Sequence, residues 1–178
     1  VDRGPKSKEV LEWFMNTENA DSVYGNHEDL MVNGVENGQQ DYNNWIMWTQ
    51  NGGQATLDSF RDGDGEVLVD KDIVDWLKTR PMYFETDDLF VSHAPVISLS
   101  HTPKDPFGRD YYFIWNRYVP NIPQDKFMIY GHNGQFRIHK TNDGSEFAMC
   151  IDNSHSGVLT GIHWPTKEFF EQEYLPEE

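Results

Sequence analysis

Asp21-Ser22-Val23-Tyr24-Gly25-Asn26-His27-Glu28 is the stretch on which the reading of this chain turns. Asp21 to Tyr24 reads as a short strand, Gly25-Asn26 as a turn, and His27 to Asn33 as the start of a helix. A strand that turns directly into a helix leaves Asn26 and His27 on a loop just past a strand end. Layered α/β folds gather their ligands on such loops. Two later stretches repeat the placement. Ser92-His93-Ala94 closes the strand Leu89 to Ser92, and Gly131-His132 follows the apolar strand Phe127 to Tyr130. A lone histidine after a strand is ordinarily structural, Gly-His arises by chance, and Asp2-Arg3-Gly4 alone is only a plausible turn. The ordered set carries more weight, because Asn, His and His on three such loops suit one first-row divalent ion such as manganese, iron or zinc.

Outward from these motifs, the first half of the chain reads as helical. Pro5 to Thr17 carries Val10, Leu11 and Phe14 at helical spacing behind a proline suited to a first turn. Asp41 to Gln50 is aromatic-rich and predicted to stop at Gly52-Gly53, and Thr56 to Arg61 is a further short helix. Asp70 to Thr79 has acidic residues early, Lys78 and Arg80 late, and Pro81 as a stop. Asp62-Gly63-Asp64-Gly65 fails the calcium-loop pattern, since position twelve is Ile73, and reads as a turn. Beyond Pro81 strands take over. Met82 to Glu85 and Leu89 to Ser92 are joined by Thr86-Asp87-Asp88. Phe136 to Lys140 and Glu146 to Ile151 flank the hairpin signal Asn142-Asp143-Gly144, and Gly157 to Trp164 and Glu168 to Tyr174 flank Pro165-Thr166. The fold class is therefore α/β, in one domain spanning 1–178.

The chain has 178 residues, and 30 acidic against 14 basic ones give a net charge of −16. Such a chain is repelled by nucleic acid and by anionic membranes, so neither is an expected partner. The acidic residues are scattered, apart from the run Glu171 to Glu178. The single cysteine, Cys150, lies in the apolar run Phe147 to Ile151 and reads as a core residue. This usage fits a reducing, cytoplasmic compartment. No stretch reaches the roughly 20 apolar residues of a membrane span.

Taken in order, Val1-Asp2-Arg3-Gly4, Gly25-Asn26-His27-Glu28, Ser92-His93-Ala94 and Gly131-His132 make the chain resemble the calcineurin-like metallophosphoesterases of the phosphoprotein phosphatase type. The bacterial and phage lambda-type serine/threonine protein phosphatases are the nearest in pattern. The similarity runs from Val1 to about Gly161. That family carries D-x-H, then G-D-x-x-D-R-G, G-N-H-E, a strand-end His and G-H. This chain matches from inside the second motif onward. Ile114-Trp115-Asn116-Arg117 resembles the segment that supplies a phosphate-binding Arg, and Ile151-Asp152-Asn153 with Ser156-Gly157 resembles the late strand end.

The resemblance implies a four-layer sandwich of two mixed sheets flanked by helices, lacking its N-terminal strands. It implies two divalent metal ions in the complete protein, with manganese foremost and iron or zinc as alternatives. Asn26, His93 and His132 would hold the second metal, while the ligands of the first would lie upstream of Val1. A hydroxide bridging the ions would attack phosphorus in line. His27 would act as general acid and substrate contact, oriented by Asp2. Asn26, Arg3 and Arg117 would bind the phosphoryl group, the guanidinium matching its oxygens bidentately. The implied substrate is a phosphate monoester, foremost protein phosphoserine or phosphothreonine. The 178-residue chain alone would then hydrolyse such esters poorly.

Tyr24 stands where these phosphatases place Arg, and Asn133 where they place Thr. This keeps hydrolysis of a dinucleoside polyphosphate such as diadenosine tetraphosphate as an alternative, although Glu28 leans back toward protein phosphatases. A non-catalytic phosphoesterase-like binding module is the alternative from another class. His101, His139, His155 and His163 match no motif and are assigned surface or hairpin roles. Tyr42, Trp45 and Trp48, at helical spacing, read as core.

Overall fold

Helical spacing of apolar residues before Pro81, and alternating or continuous apolar runs after it, produce a mixed α/β structure in two units, Val1–Pro81 and Met82–Glu178. The structure is a computed structural model and describes residues 1–37, 42–99, 105–119 and 123–174. The start of the predicted helix at Asp41, His101 and the last four residues of the acidic run lie outside these.

The first unit contains five helices among the described residues: α1 (Ser7–Asn16), α2 (Asn26–Asn37), α3 (Tyr42–Trp48), α4 (Gln54–Ser59) and α5 (Lys71–Lys78). Their buried side chains include Leu11, Leu30, Met31, Trp48, Leu57, Ile73, Val74 and Leu77, whereas Val10 is exposed. Helix α2 starts at Asn26 because Glu28, at its third position, accepts the Gly25 N–H at 3.0 Å. The Gly25 carbonyl then accepts the first helical bond, from Asp29 at 3.0 Å. That is half of a capping box, and it explains Glu28 without any catalytic role.

One expectation is corrected here. Asp21 to Tyr24 is not a strand. Tyr24 N–H donates to the Pro81 carbonyl at 2.7 Å, but no ladder forms along the segment. The helix that begins with α3 stops where its glycines predict: the turn Thr49–Gly53 is interrupted at Gly52, whose φ of +112° is not helical, and α4 begins beyond it. Only glycine takes that conformation at little cost.

The second unit has eight strands among the described residues. Five form one sheet in the order β1 (Tyr83–Glu85), β2 (Leu89–Ser92), β3 (Phe127–Tyr130), β5 (Glu146–Cys150), β4 (Arg137–Lys140). The inner strands β2, β3 and β5 run parallel, and β1 and β4 lie antiparallel at the edges. The near-continuous apolar runs of β3 and β5 fit strands covered on both faces, and Met128, Ala148, Met149 and Cys150 are buried. A parallel crossover needs a long connection, and residues 93–126 supply it, with the short α6 (Tyr112–Trp115). The second sheet, β6 (Asp152–Asn153), β7 (Val158–His163) and β8 (Glu168–Glu173), is antiparallel. Both hairpins fall where their turn residues predict; α6 and β6 are too short to leave a periodic signal.

Candidate functional site

The chemistry-bearing residues of the first unit converge on Asp2. Its Oδ2 lies 2.7 Å from His27 Nδ1. Its Oδ1 accepts from Trp48 Nε1 at 3.0 Å and Thr56 Oγ1 at 2.7 Å. The carboxylate is fully covered, while the His27 side chain keeps 18% of its surface exposed. A buried carboxylate is costly unless its lone pairs are filled, and here donors fill both oxygens. His27 occupies the second position of α2 and Asn26 the first, so one helix end presents both. Asn26 is buried. An imidazole that donates from Nδ1 leaves Nε2 as the nitrogen for proton exchange.

Arg3 lies beside this pair, with Nη2 3.4 Å from His27 Nε2, a loose contact. Asp2 and Arg3 sit at φ 73° and 64°, a left-handed conformation uncommon for these residues. Their backbone is held from outside: Asp2 N–H reaches Thr56 Oγ1 at 3.0 Å, and Arg3 N–H donates to the Gly52 carbonyl at 3.1 Å. Backbone strain of this kind concentrates at functional sites.

In the second unit the parallel pairing of β2 and β3 sets Ser92 opposite Tyr130, so His93 and His132 leave the sheet at the same edge. Their rings face each other, with His93 Nε2 3.1 Å from His132 Nδ1. His132 sits at φ 69°. Arg117 Nη1 donates to the His132 carbonyl at 2.9 Å, and the Trp115 ring packs edge-on at 6.0 Å from the His132 ring. Asn116 holds this segment in place, donating to the carbonyls of Pro95 at 2.6 Å and Tyr118 at 2.8 Å.

Strand order explains the place of Asp152, which the late strand-end motif contains but to which the sequence assigned no role. Because β4 lies beyond β5, the loop from β3 to β4 crosses the carboxyl end of β5, which runs on to Asp152. Asp152 Oδ2 accepts the Gly134 N–H of that loop at 2.7 Å, and its Oδ1 accepts the Ser154 N–H at 3.1 Å. Burial raises the Asp152 pKa, but the hydrogen bonds from Ser154 and Gly134, with the charge of His93, outweigh it and hold the carboxyl below its ordinary value. The three parallel strands thus end in His93, His132 and Asp152. The Ile-Asp pair after an apolar strand was the available signal.

The remaining histidines divide. His155 packs over Gly134, whose φ of 75° leaves no place for a side chain. His163 Nδ1 lies 2.7 Å from Thr166 Oγ1 in the hairpin turn. His139 Nε2 meets the Tyr130 hydroxyl at 2.7 Å; burial lowers the His139 pKa and raises that of Tyr130. Cys150 is buried and its thiol is pushed up by that burial, as a core residue requires. Asp62 is used locally, its Oδ1 accepting the N–H groups of Asp64 and Glu66 at 2.9 Å each. Trp48 is core, while Tyr42 is exposed.

Among the described residues no group of three or more His, Cys, Asp and Glu side chains is placed to hold a metal ion. The facing nitrogens of His93 and His132, 3.1 Å apart, have a separation that two imidazole ligands of one ion also show. With metal–nitrogen bonds of about 2.1 Å, two imidazole nitrogens on a tetrahedral or octahedral centre stand about 3.0–3.4 Å apart. Among the described residues no helix is long and apolar enough to cross a membrane. No protein-family model matches the chain, and no curated protein matches it.

Proposed function

We propose that the chain carries the catalytic residues of a metal-dependent phosphoesterase of the calcineurin-like class, in its four-layer sandwich fold, acting on phosphate monoesters such as protein phosphoserine and phosphothreonine. The observation that carries the reading is the Asp2–His27 pair, a buried carboxylate 2.7 Å from an imidazole whose other nitrogen faces outward. Breaking a P–O ester bond requires a proton for the leaving oxygen. The imidazolium form of His27, protonated on both nitrogens, would give it from Nε2 and return to the neutral ring with its proton on Nδ1, held by Asp2. Arg3, beside His27, would bind the phosphoryl oxygens. Arg117 would do the same on the second unit, with the N–H groups not directed at the His132 carbonyl.

His93 and His132 would hold a divalent cation. When bound, the metal ions would supply Lewis acidity and an activated water. A dinucleoside polyphosphate is the second reading, kept by Tyr24, which puts no cation ahead of Gly25 and is itself buried. The test is hydrolysis of a phosphopeptide, p-nitrophenyl phosphate and diadenosine tetraphosphate by the product of the full reading frame, with manganese. Turnover of the monoesters lost in His27→Ala supports the proposal. Cleavage of diadenosine tetraphosphate alone favours the second reading. Metal binding without hydrolysis of any of them leaves a non-catalytic binding module.

A further inference from the structure

We infer that Trp48 and Thr56 are positioning residues for His27, acting through Asp2 to fix the ring with its proton on Nδ1 and Nε2 toward the substrate. The inference rests on the reading of His27 as the proton donor. Neither residue belongs to a motif in the sequence. Both side chains are fully buried, and both donate to the same carboxylate oxygen, Asp2 Oδ1. The other oxygen is thereby left for His27.

The Thr56 hydroxyl does more than donate. It also accepts the Asp2 backbone N–H at 3.0 Å, and it lies 3.0 Å from Ser7 Oγ, itself buried. One hydroxyl therefore fixes both the main chain and the carboxylate of Asp2. An N–H and an O–H on Oδ1 leave that oxygen little freedom to rotate toward His27, so the imidazole meets Oδ2 in one orientation.

The seat of Trp48 is built for the indole. A Cβ on Gly53 would lie 2.5 Å from Trp48 Nε1, and one on Gly34 would lie 2.8 Å from Trp48 Cε3. Any side chain at either place displaces the ring that carries the N–H. The neighbouring Gly52 receives Arg3 in the same way, since a Cβ there would meet Arg3 Cγ at 2.7 Å. The Gly52-Gly53 turn thus seats the indole on one side and the Arg3 backbone on the other.

The test is long-range ¹H–¹⁵N NMR of the His27 ring, which reads the tautomer directly and needs no turnover. Thr56→Val removes the hydroxyl, both donor to Oδ1 and acceptor of the Asp2 N–H, with little change of shape; Trp48→Phe removes the indole N–H together with part of the ring. Thr56→Ser keeps the hydroxyl. The expected result is a dominant Nδ1–H tautomer in the parent and in Thr56→Ser, falling severalfold toward a mixed population in Thr56→Val and Trp48→Phe. In an active protein the same two variants should lose about tenfold in kcat with KM held within twofold. An unchanged tautomer in folded Thr56→Val overturns the inference. Should Trp48→Phe fail to fold, the Thr56 pair alone decides. If the tautomer shifts as expected but no phosphoester is hydrolysed by any variant, the positioning stands and the phosphoesterase reading falls.

Discussion

The two units each contain a histidine meeting a polar partner at close range, and they solve different problems. In the first, His27 faces a buried carboxylate whose other oxygen is occupied by Trp48 and Thr56. The pair is asymmetric, because an anion always accepts and the ring nitrogen always donates, so the proton has a fixed place. In the second, His93 and His132 face each other nitrogen to nitrogen at 3.1 Å, and either ring can donate or accept. A symmetric pair fixes no proton. Under the proposed function the first pair would give up a proton and the second would hold a cation.

Replacing His132 should break the comparison most sharply. In His132→Ala, manganese or zinc affinity measured by calorimetry is expected to fall at least about 100-fold, while His27→Ala leaves it within about twofold. Equal losses in both would erase the division of labour. Gly53→Ala comes next. It pushes a methyl group into the Trp48 ring and should cost about 1–3 kcal/mol in urea unfolding. Gly4→Ala has open space around it and should stay within about 0.5 kcal/mol. A neutral Gly53 variant would mean that the indole seat is not tight.

Arg117→Ala should raise KM for a phosphomonoester about tenfold, the scale of one charged hydrogen bond. Metal affinity should drop only a few-fold, because the lost bond to the His132 carbonyl is exposed. Loss of metal in this variant with metal kept in His132→Ala would reverse the roles assigned to them.

The smallest effect belongs to His139, a histidine outside either site. Burial, aided by the Arg137 charge, lowers its folded pKa below the ordinary 6.5. The unfolded chain therefore binds a proton that the folded chain resists. The stability this gives is complete above about pH 6.5 and fades as pH falls toward the folded value. His139→Gln, which can still accept from Tyr130, should lessen the drop in melting temperature between pH 7.5 and 5.5. An unchanged drop would show that the acid sensitivity lies elsewhere.

Much of the fold was legible because its signals are local. Strands β2 and β3 fall on the predicted residues, and the β4–β5 hairpin turns at Asn142-Asp143-Gly144, since a turn type is chosen by two or three adjacent side chains. The Asp21–Tyr24 misreading has the opposite cause. A strand exists only through its neighbours, and extended propensity cannot supply a partner. The stop at Gly52-Gly53 was legible for the same local reason as the hairpin, since glycine takes the positive φ that ends a helix.

The sequence by itself supplied the candidates. Asn26, His93 and His132 stand out by residue type and by their place beyond predicted strands, and the family resemblance adds Asp2, Arg3, His27 and Arg117. Only the tertiary structure decided their company. Trp48 and Thr56 reach Asp2 across 46 and 54 residues, and Asp152 reaches the His132 loop across 18. The order β1-β2-β3-β5-β4, which carries that loop over the end of β5, is likewise absent from any local pattern. Hydrogen-bond partners so distant are chosen by how elements pack, whereas residue type and periodicity are written within a few neighbouring positions.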